Sequence, residues 1–115
     1  MTMMKLLRFY VSNTDKVKYT TVYEALAFAA KRYGMSGVTV YKGIMGYGAN
    51  KKMISDKFWE LTSKTPVVVE VIDDAEKIEK FLSRLSPWLN HLPHGCLVMV
   101  HDVEMFFYKS GKKDY

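Results

Sequence analysis

With 115 residues, 49% hydrophobic and 25% charged, the chain has the composition of one globular domain and too little length for a second independent core. Its formal charge of +5 is spread along the chain, which argues against a nucleic-acid partner rather than for one. The single cysteine, Cys96, excludes an internal disulfide and a cysteine-rich metal scaffold and fits a reducing compartment.

No apolar run reaches the ~20 residues that cross a bilayer. Arg8 interrupts the apolar stretch near the start, so no secretory signal and no membrane insertion are expected, and the expected location is cytoplasmic. In chain order, MKLLRFYV (Met4 to Val11), bounded by SNTDK, reads as a strand closed by a turn. TTVYEALAFAAKRYG follows, with Val22, Ala25, Leu26, Ala29, Ala30 and Tyr33 at helical spacing. Thr21 and Glu24 form a capping box and Gly34 a stop, so a first helix is predicted.

GVTVYKGIMGYG begins as a β-branched strand and ends in glycines, and PVVVEVID is the clearest strand of the chain; the two predict a long hairpin with an enlarged tip. In DDAEKIEKFLSRLSPWL, Asp73 and Glu76 resemble a second capping box, and Ile78, Phe81, Leu82, Leu85 and Leu89 repeat as one helical face. That second helix is expected to end near Pro87. After NHLPHG, CLVMVHDVEMFFY predicts a last strand, broken at His101 and Asp102, and KSGKKDY a frayed polar tail over residues 109–115.

Strand, helix, strand, strand, helix, strand is the order of the α+β ferredoxin-like βαββαβ fold, an antiparallel sheet with both helices on one face. Its strands are apolar at both phases: Leu6, Leu7, Phe9, Tyr10 and Val11 in the first, Val67 to Val69 in the third, Leu97 to Val100 in the last. Two helices cover one face only. The other requires a partner, and association of copies through the sheet is expected.

The stretches KLLRFYV, VYEALAFAAKRYGMSGVTVYKGIMGYGA, LTSKTPVVVEVIDDAEKIEKFL and CLVMVHDVE resemble the PII-like (GlnB-like) signalling proteins, most closely the PII-like family known as domain of unknown function 190. The resemblance spans residues 4–108. It implies a single ferredoxin-like domain, a homotrimer with its sheets facing inward, and a mobile loop opening at the glycine stretch through which a partner protein is touched. In PII proteins an adenine nucleotide lies between subunits, held by a glycine-rich loop base, a second glycine-rich loop before the last strand, and late basic residues. Carried over, this implies a cleft floored by Gly46, Tyr47, Gly48, Asn50, Lys51 and Lys52, faced by His94, Gly95 and Lys109, that takes a small anionic effector, with an adenine nucleotide as candidate cofactor. Relatives found beside fluoride-exporter genes make a membrane transporter one candidate partner.

The chain departs from that pattern at named positions. Ala49 stands where an arginine is usual, Asn50 where a glutamine is, and Pro93, His94, Gly95 and Cys96 replace a Gly-Asp-Gly-Lys loop. Ser12, Asn13, Thr14 and Asp15 replace a Gly-Glu-Ser-Asp turn of nearer relatives. From the residues alone, Gly43, Gly46 and Gly48 with Lys51 and Lys52 admit two readings, an anion cradle and a hinge, the hinge being favoured because neither the Walker nor the dinucleotide spacing is present.

Other groups have blander readings. His91 and His94, with His101 further on, suggest metal, but Pro93 interrupts the pair and no carboxylate or cysteine lies beside it at ligand spacing, so a CutA-like metal trimer stands only as an alternative, beside a scaffold without effector. Cys96 reads as a small buried hydrophobe. Arg8, inside a strand, is expected to pair with Glu70 or Glu104. An RNA-recognition module would stack bases on aromatics of its third strand, and PVVVEVI has none. No side chains stand in a recognisable catalytic context, so the chain is expected not to be an enzyme.

Overall fold

The structure, a computed structural model, describes residues 2–47, 54–55 and 64–111. Four strands form one sheet: β1 Thr2–Ser12, β2 Gly37–Lys42, β3 Pro66–Asp74 and β4 Leu97–Met105. Their spatial order is β2-β3-β1-β4, every pair antiparallel, which is the ferredoxin-like arrangement expected from the element order. Helices α1 Val22–Arg32 and α2 Ala75–Asn90 supply the two crossovers.

The core lies between sheet and helices. Leu7, Phe9 and Val11 of β1 and Val67, Val69 and Val71 of β3 point toward the helices and are sealed by Val22, Leu26 and Ala30 of α1 and Ile78, Phe81 and Leu85 of α2. The register Phe9↔Val69 and Leu7↔Val71 places like phases side by side, so the period-2 pattern of each strand becomes one apolar surface.

Helix boundaries follow local chemistry. Thr21 caps α1 by accepting a hydrogen bond from the Glu24 N–H at 3.3 Å, and its hydroxyl donates to Glu24 Oε1 at 2.6 Å. At the other end Gly34 takes φ of 69°. Its N–H reaches the Lys31 carbonyl and that of Met35 the Ala30 carbonyl, a Schellman closure that only a residue at ease with positive φ permits cheaply.

Three local expectations are corrected. The cap of α2 is Asp74, whose side chain accepts from the Lys77 N–H at 2.9 Å, not Asp73. Asp73 is 3% exposed and is spent inside, accepting from the Ser36 and Asp74 N–H groups at 2.9 and 2.7 Å and from Lys77 Nζ at 3.2 Å. Helix α2 runs through Pro87 to Asn90. Proline removes one N–H, and both Pro87 and Ser83, the residue one turn back, are exposed, while Trp88 and Leu89 beyond it still pack on the core. Strand β4 is not broken at His101 and Asp102, because both stay in register, with Leu6 and Lys5, and Asp102 meets Lys5 Nζ at 3.7 Å.

Candidate functional site

Strand direction fixes where the candidate residues lie. β1 and β2 end, and β3 and β4 begin, at the same end of the sheet, where Ser12 faces Pro66, Lys42 faces Val67 and Tyr10 faces Leu97. Three chain segments meet there: the Ser12–Asp15 turn, the base of the long hairpin, and the approach to β4.

The hairpin base is clamped. The Gly43 N–H donates to the Pro66 carbonyl at 2.7 Å, and a Cβ on Gly43 would stand 2.8 Å from Pro66 Cγ. Glycine is required here by close approach, not by a left-handed φ. The hairpin then continues as a short ribbon in which Met45 and Gly46 pair with Ser55 and Ile54. Tyr47 stands largely exposed beyond it. Gly48, Asn50, Lys51 and Lys52 lie outside the described residues.

Beside the clamp, Asn13 and Thr65 lock the end of β1 to the start of β3. The Asn13 N–H donates to the Thr65 carbonyl at 3.0 Å, and Asn13 Oδ1 accepts from the Thr65 N–H at 2.9 Å. Asp15 Oδ2 closes the turn by accepting from the Ser12 N–H at 3.3 Å. Thr65 is fully buried, and among the described residues neither its hydroxyl nor the enclosed His94 Nδ1 has a hydrogen-bond partner. Such groups are costly unless something satisfies them. The sequence reading missed Thr65; a lone threonine before Pro66 carries no pattern that would single it out.

The residues predicted to share a site are not gathered by one chain. Gly46 and Tyr47 leave from β2, His94 and Gly95 precede β4, and these are opposite edges of the sheet, about 14 Å apart at strand spacing. Lys109 follows the far end of β4, where Met105 faces Thr2, so it extends from the other end of the sheet.

The sheet face away from the helices is continuous with this end. It presents Leu6, Tyr10, Ile72, Leu97, Met99 and Val103, all accessible to some degree, around one ionic cluster. Arg8 donates from Nε to Glu70 Oε2 at 2.8 Å and its second nitrogen lies 2.7 Å from the same oxygen. The Tyr41 hydroxyl donates to that oxygen at 3.0 Å. The bond to the Glu70 carboxylate raises the Tyr41 pKa above its ordinary value, with burial adding to it. The predicted pairing of Arg8 is with Glu70, its register partner.

The remaining candidates have structural roles. Burial, then the nearby Asp15 carboxylate, pushes the Cys96 thiol up to about 11, the opposite of a nucleophile's environment. His91 Nδ1 lies 2.7 Å from the Pro87 carbonyl and His101 Nε2 3.3 Å from Met99 Sδ. Among the described residues no three His, Cys, Asp or Glu side chains gather as metal ligands.

The model of the family described as Uncharacterized ACR, domain of unknown function 190, matches residues 4–105. The chain belongs to that family. A UPF0166 protein of Aquifex aeolicus is 37% identical over 103 residues, covering 90% of this chain and 93% of the relative. A UPF0166 protein of Methanocaldococcus jannaschii is 38% identical over 102 residues, covering 89% and 91%. Among solved structures, CPII from Thiomonas intermedia K12, a nitrogen regulatory PII-like protein bound to ADP, AMP and bicarbonate, superposes with TM-score 0.65 at 19% identity, covering 89% of this chain and 87% of that one. A protein from Thermus thermophilus described as PII-like gives TM-score 0.61 at 19% identity, covering 88% and 87%. The DUF190 chain therefore has the fold of PII-like proteins, and no helix among its described residues is long and apolar enough to cross a membrane.

Proposed function

We propose that the chain is a PII-like regulatory subunit, a binding protein and not an enzyme, which assembles as a homotrimer through its open sheet face. A small anionic effector, with an adenine nucleotide as first candidate, occupies clefts between subunits, and the segment following Gly43 reports its presence to a partner protein. One observation carries this reading: the loop-base residues and the pre-β4 residues sit on opposite edges of one sheet, so only a second copy can complete a cleft containing both. The accessible apolar face around Arg8, Glu70 and Tyr41 supports association. The Thr65 hydroxyl and His94 Nδ1, without a partner among the described residues, support a polar occupant at that end. That CPII holds ADP, AMP and bicarbonate makes adenine nucleotides the first ligands to try.

Light scattering across a concentration series, followed by calorimetric titration with ATP, ADP and AMP, tests both halves. Three-chain mass is expected for the native chain and single-chain mass for Leu6→Glu, with heat from at least one nucleotide only for the native chain. Single-chain mass for the native protein would end the shared-cleft reading. Three-chain mass with no heat from any nucleotide would leave the assembly and remove the nucleotide.

A further inference from the structure

On the outer side of the molecule α1 and α2 are both anchored to the sheet but do not pack closely against each other. α1 turns small residues, Ala25 and Ala29, to the gap, and α2 contributes Leu85 and Trp88. The result is a cleft of about 380 Å³ between the helices. At the other end of the helix pair a second cleft, of about 200 Å³, is lined by Met35, Phe81, Lys77, Lys80 and Arg84. Tyr33 lines both, its ring edge-on to Phe81 at 5.5 Å, so the two clefts lie end to end along the helix pair as a channel that the Tyr33 ring divides.

The channel has an apolar floor and a cationic rim. Lys77 and Lys80 are partly matched by Asp73 at 3.2 Å and Glu76 at 3.1 Å. Arg32 and Arg84 have no ion-pair partner among the described residues, and Arg84 lies over the Tyr33 ring at 5.8 Å. Phe28, 55% exposed, stands at the lip. An apolar floor flanked by two unpaired arginines, Arg32 on α1 and Arg84 on α2, is a pattern that receives one face of an amphipathic segment.

We propose that this channel docks an acidic amphipathic segment of a partner protein, with apolar side chains entering beside Ala25 and Ala29 and carboxylates meeting Arg32 and Arg84. Charge decides between occupants. The chain's own exposed aromatic stretch, Phe106 to Tyr108, is followed by Lys109, Lys112 and Lys113, and this basic segment of a second copy would be repelled by the rim. A nucleic acid would match the rim but would leave the apolar floor unfilled. The inference is independent of the effector reading, since the channel lies on the helix side and the proposed cleft at the loop end of the sheet.

The test is fluorescence anisotropy with a labelled synthetic peptide carrying Leu and Phe at i, i+3, i+4 and i+7 and Glu elsewhere, beside the same peptide with Lys for Glu. The Glu peptide should bind and the Lys peptide should not. The double variant Arg32→Glu with Arg84→Glu should bind the Glu peptide at least about tenfold more weakly and gain affinity for the Lys peptide, as reversal of complementary rim charge requires. Phe28→Ser should weaken binding of the Glu peptide, and all variants should keep the native melting profile because these side chains are exposed. Equal binding of the two peptides, unchanged affinity in the reversal variant, or tighter binding of an oligouridylate that the reversal abolishes would each overturn the proposal.

Discussion

On one side of the sheet Leu7, Phe9, Val69 and Val71 are fully enclosed by α1 and α2. On the other, residues one step along the same strands, Leu6, Tyr10 and Ile72, remain accessible around the Arg8–Glu70 pair. The two faces use one backbone and similar side chains, so the difference is not composition. It is that on the helix side the two central strands are sealed within one chain, only the edge-strand residues Val38, Val40, Val98 and Val100 staying exposed, whereas the open side carries a central ion pair whose two members satisfy each other before any partner arrives. A charged pair at the centre of an apolar face costs little while water reaches it and fixes register if the face is covered. In the proposed assembly this pair makes association through the open side specific rather than merely adhesive.

The largest effect should separate the faces directly. Phe9→Ala, opening a cavity in the sealed core, is expected to cost about 4 kcal/mol in urea unfolding, independently of protein concentration. Leu6→Ala, on the open face, should cost about 1.5 kcal/mol in the dilute subunit, since Leu6 is only half-buried, and its melting deficit should grow with concentration as the native chain gains from assembly. Equal, concentration-independent losses at both positions would mean that the open face buries nothing.

A smaller effect probes the helix side's polar anchor. Burial pushes the Asp73 carboxyl upward, but the Asp74 and Ser36 N–H donors and the Lys77 ammonium together outweigh it and hold the carboxyl below its ordinary range. The folded pKa being depressed, the contribution is complete above the unfolded carboxylate value of about 3.9 and is lost as pH falls through the folded value. Asp73→Asn should therefore cost about 2 kcal/mol at neutral pH and show a shallower loss of stability on acidification than the native chain. Parallel acid limbs for the two proteins would refute the assignment.

The order of elements and the helix-side core were legible because periodicity and capping are local: Thr21, Glu24 and Gly34 announce α1 without knowledge of the rest. The shift of the second cap from Asp73 to Asp74 was not, because the group that claims Asp73 is the Ser36 N–H, 37 residues away. Pro87 misled for the opposite reason. A strong local rule was outweighed by Trp88 and Leu89 packing beyond it. At the candidate site the sequence located the glycine-rich hairpin base, and the family resemblance set the two loops on different subunits, as their places at opposite edges of the sheet require, but Thr65 was not legible, since its contact with Asn13 spans 52 residues.

The glycines of that base give the finest test, because the sequence makes them look alike and the structure does not. A methyl at Gly43 would stand 2.8 Å from Pro66 Cγ and 3.4 Å from the Pro66 carbonyl oxygen, whereas one at Gly46 would meet Pro66 Cγ at 3.7 Å, an ordinary contact. Pro66 cannot swing aside, since it opens β3 in register with Ser12 and its carbonyl accepts the Gly43 N–H. Gly43→Ala should cost about 1 kcal/mol through overpacking and loosen the hairpin base, raising amide exchange at Gly43 and proteolytic cleavage in the segment beyond it. Gly46→Ala should change stability by only a few tenths of a kcal/mol. If Gly46→Ala were the more damaging, Gly46 would be reserved for a contact outside this subunit, and the hinge reading of the glycine stretch would give way to the cradle.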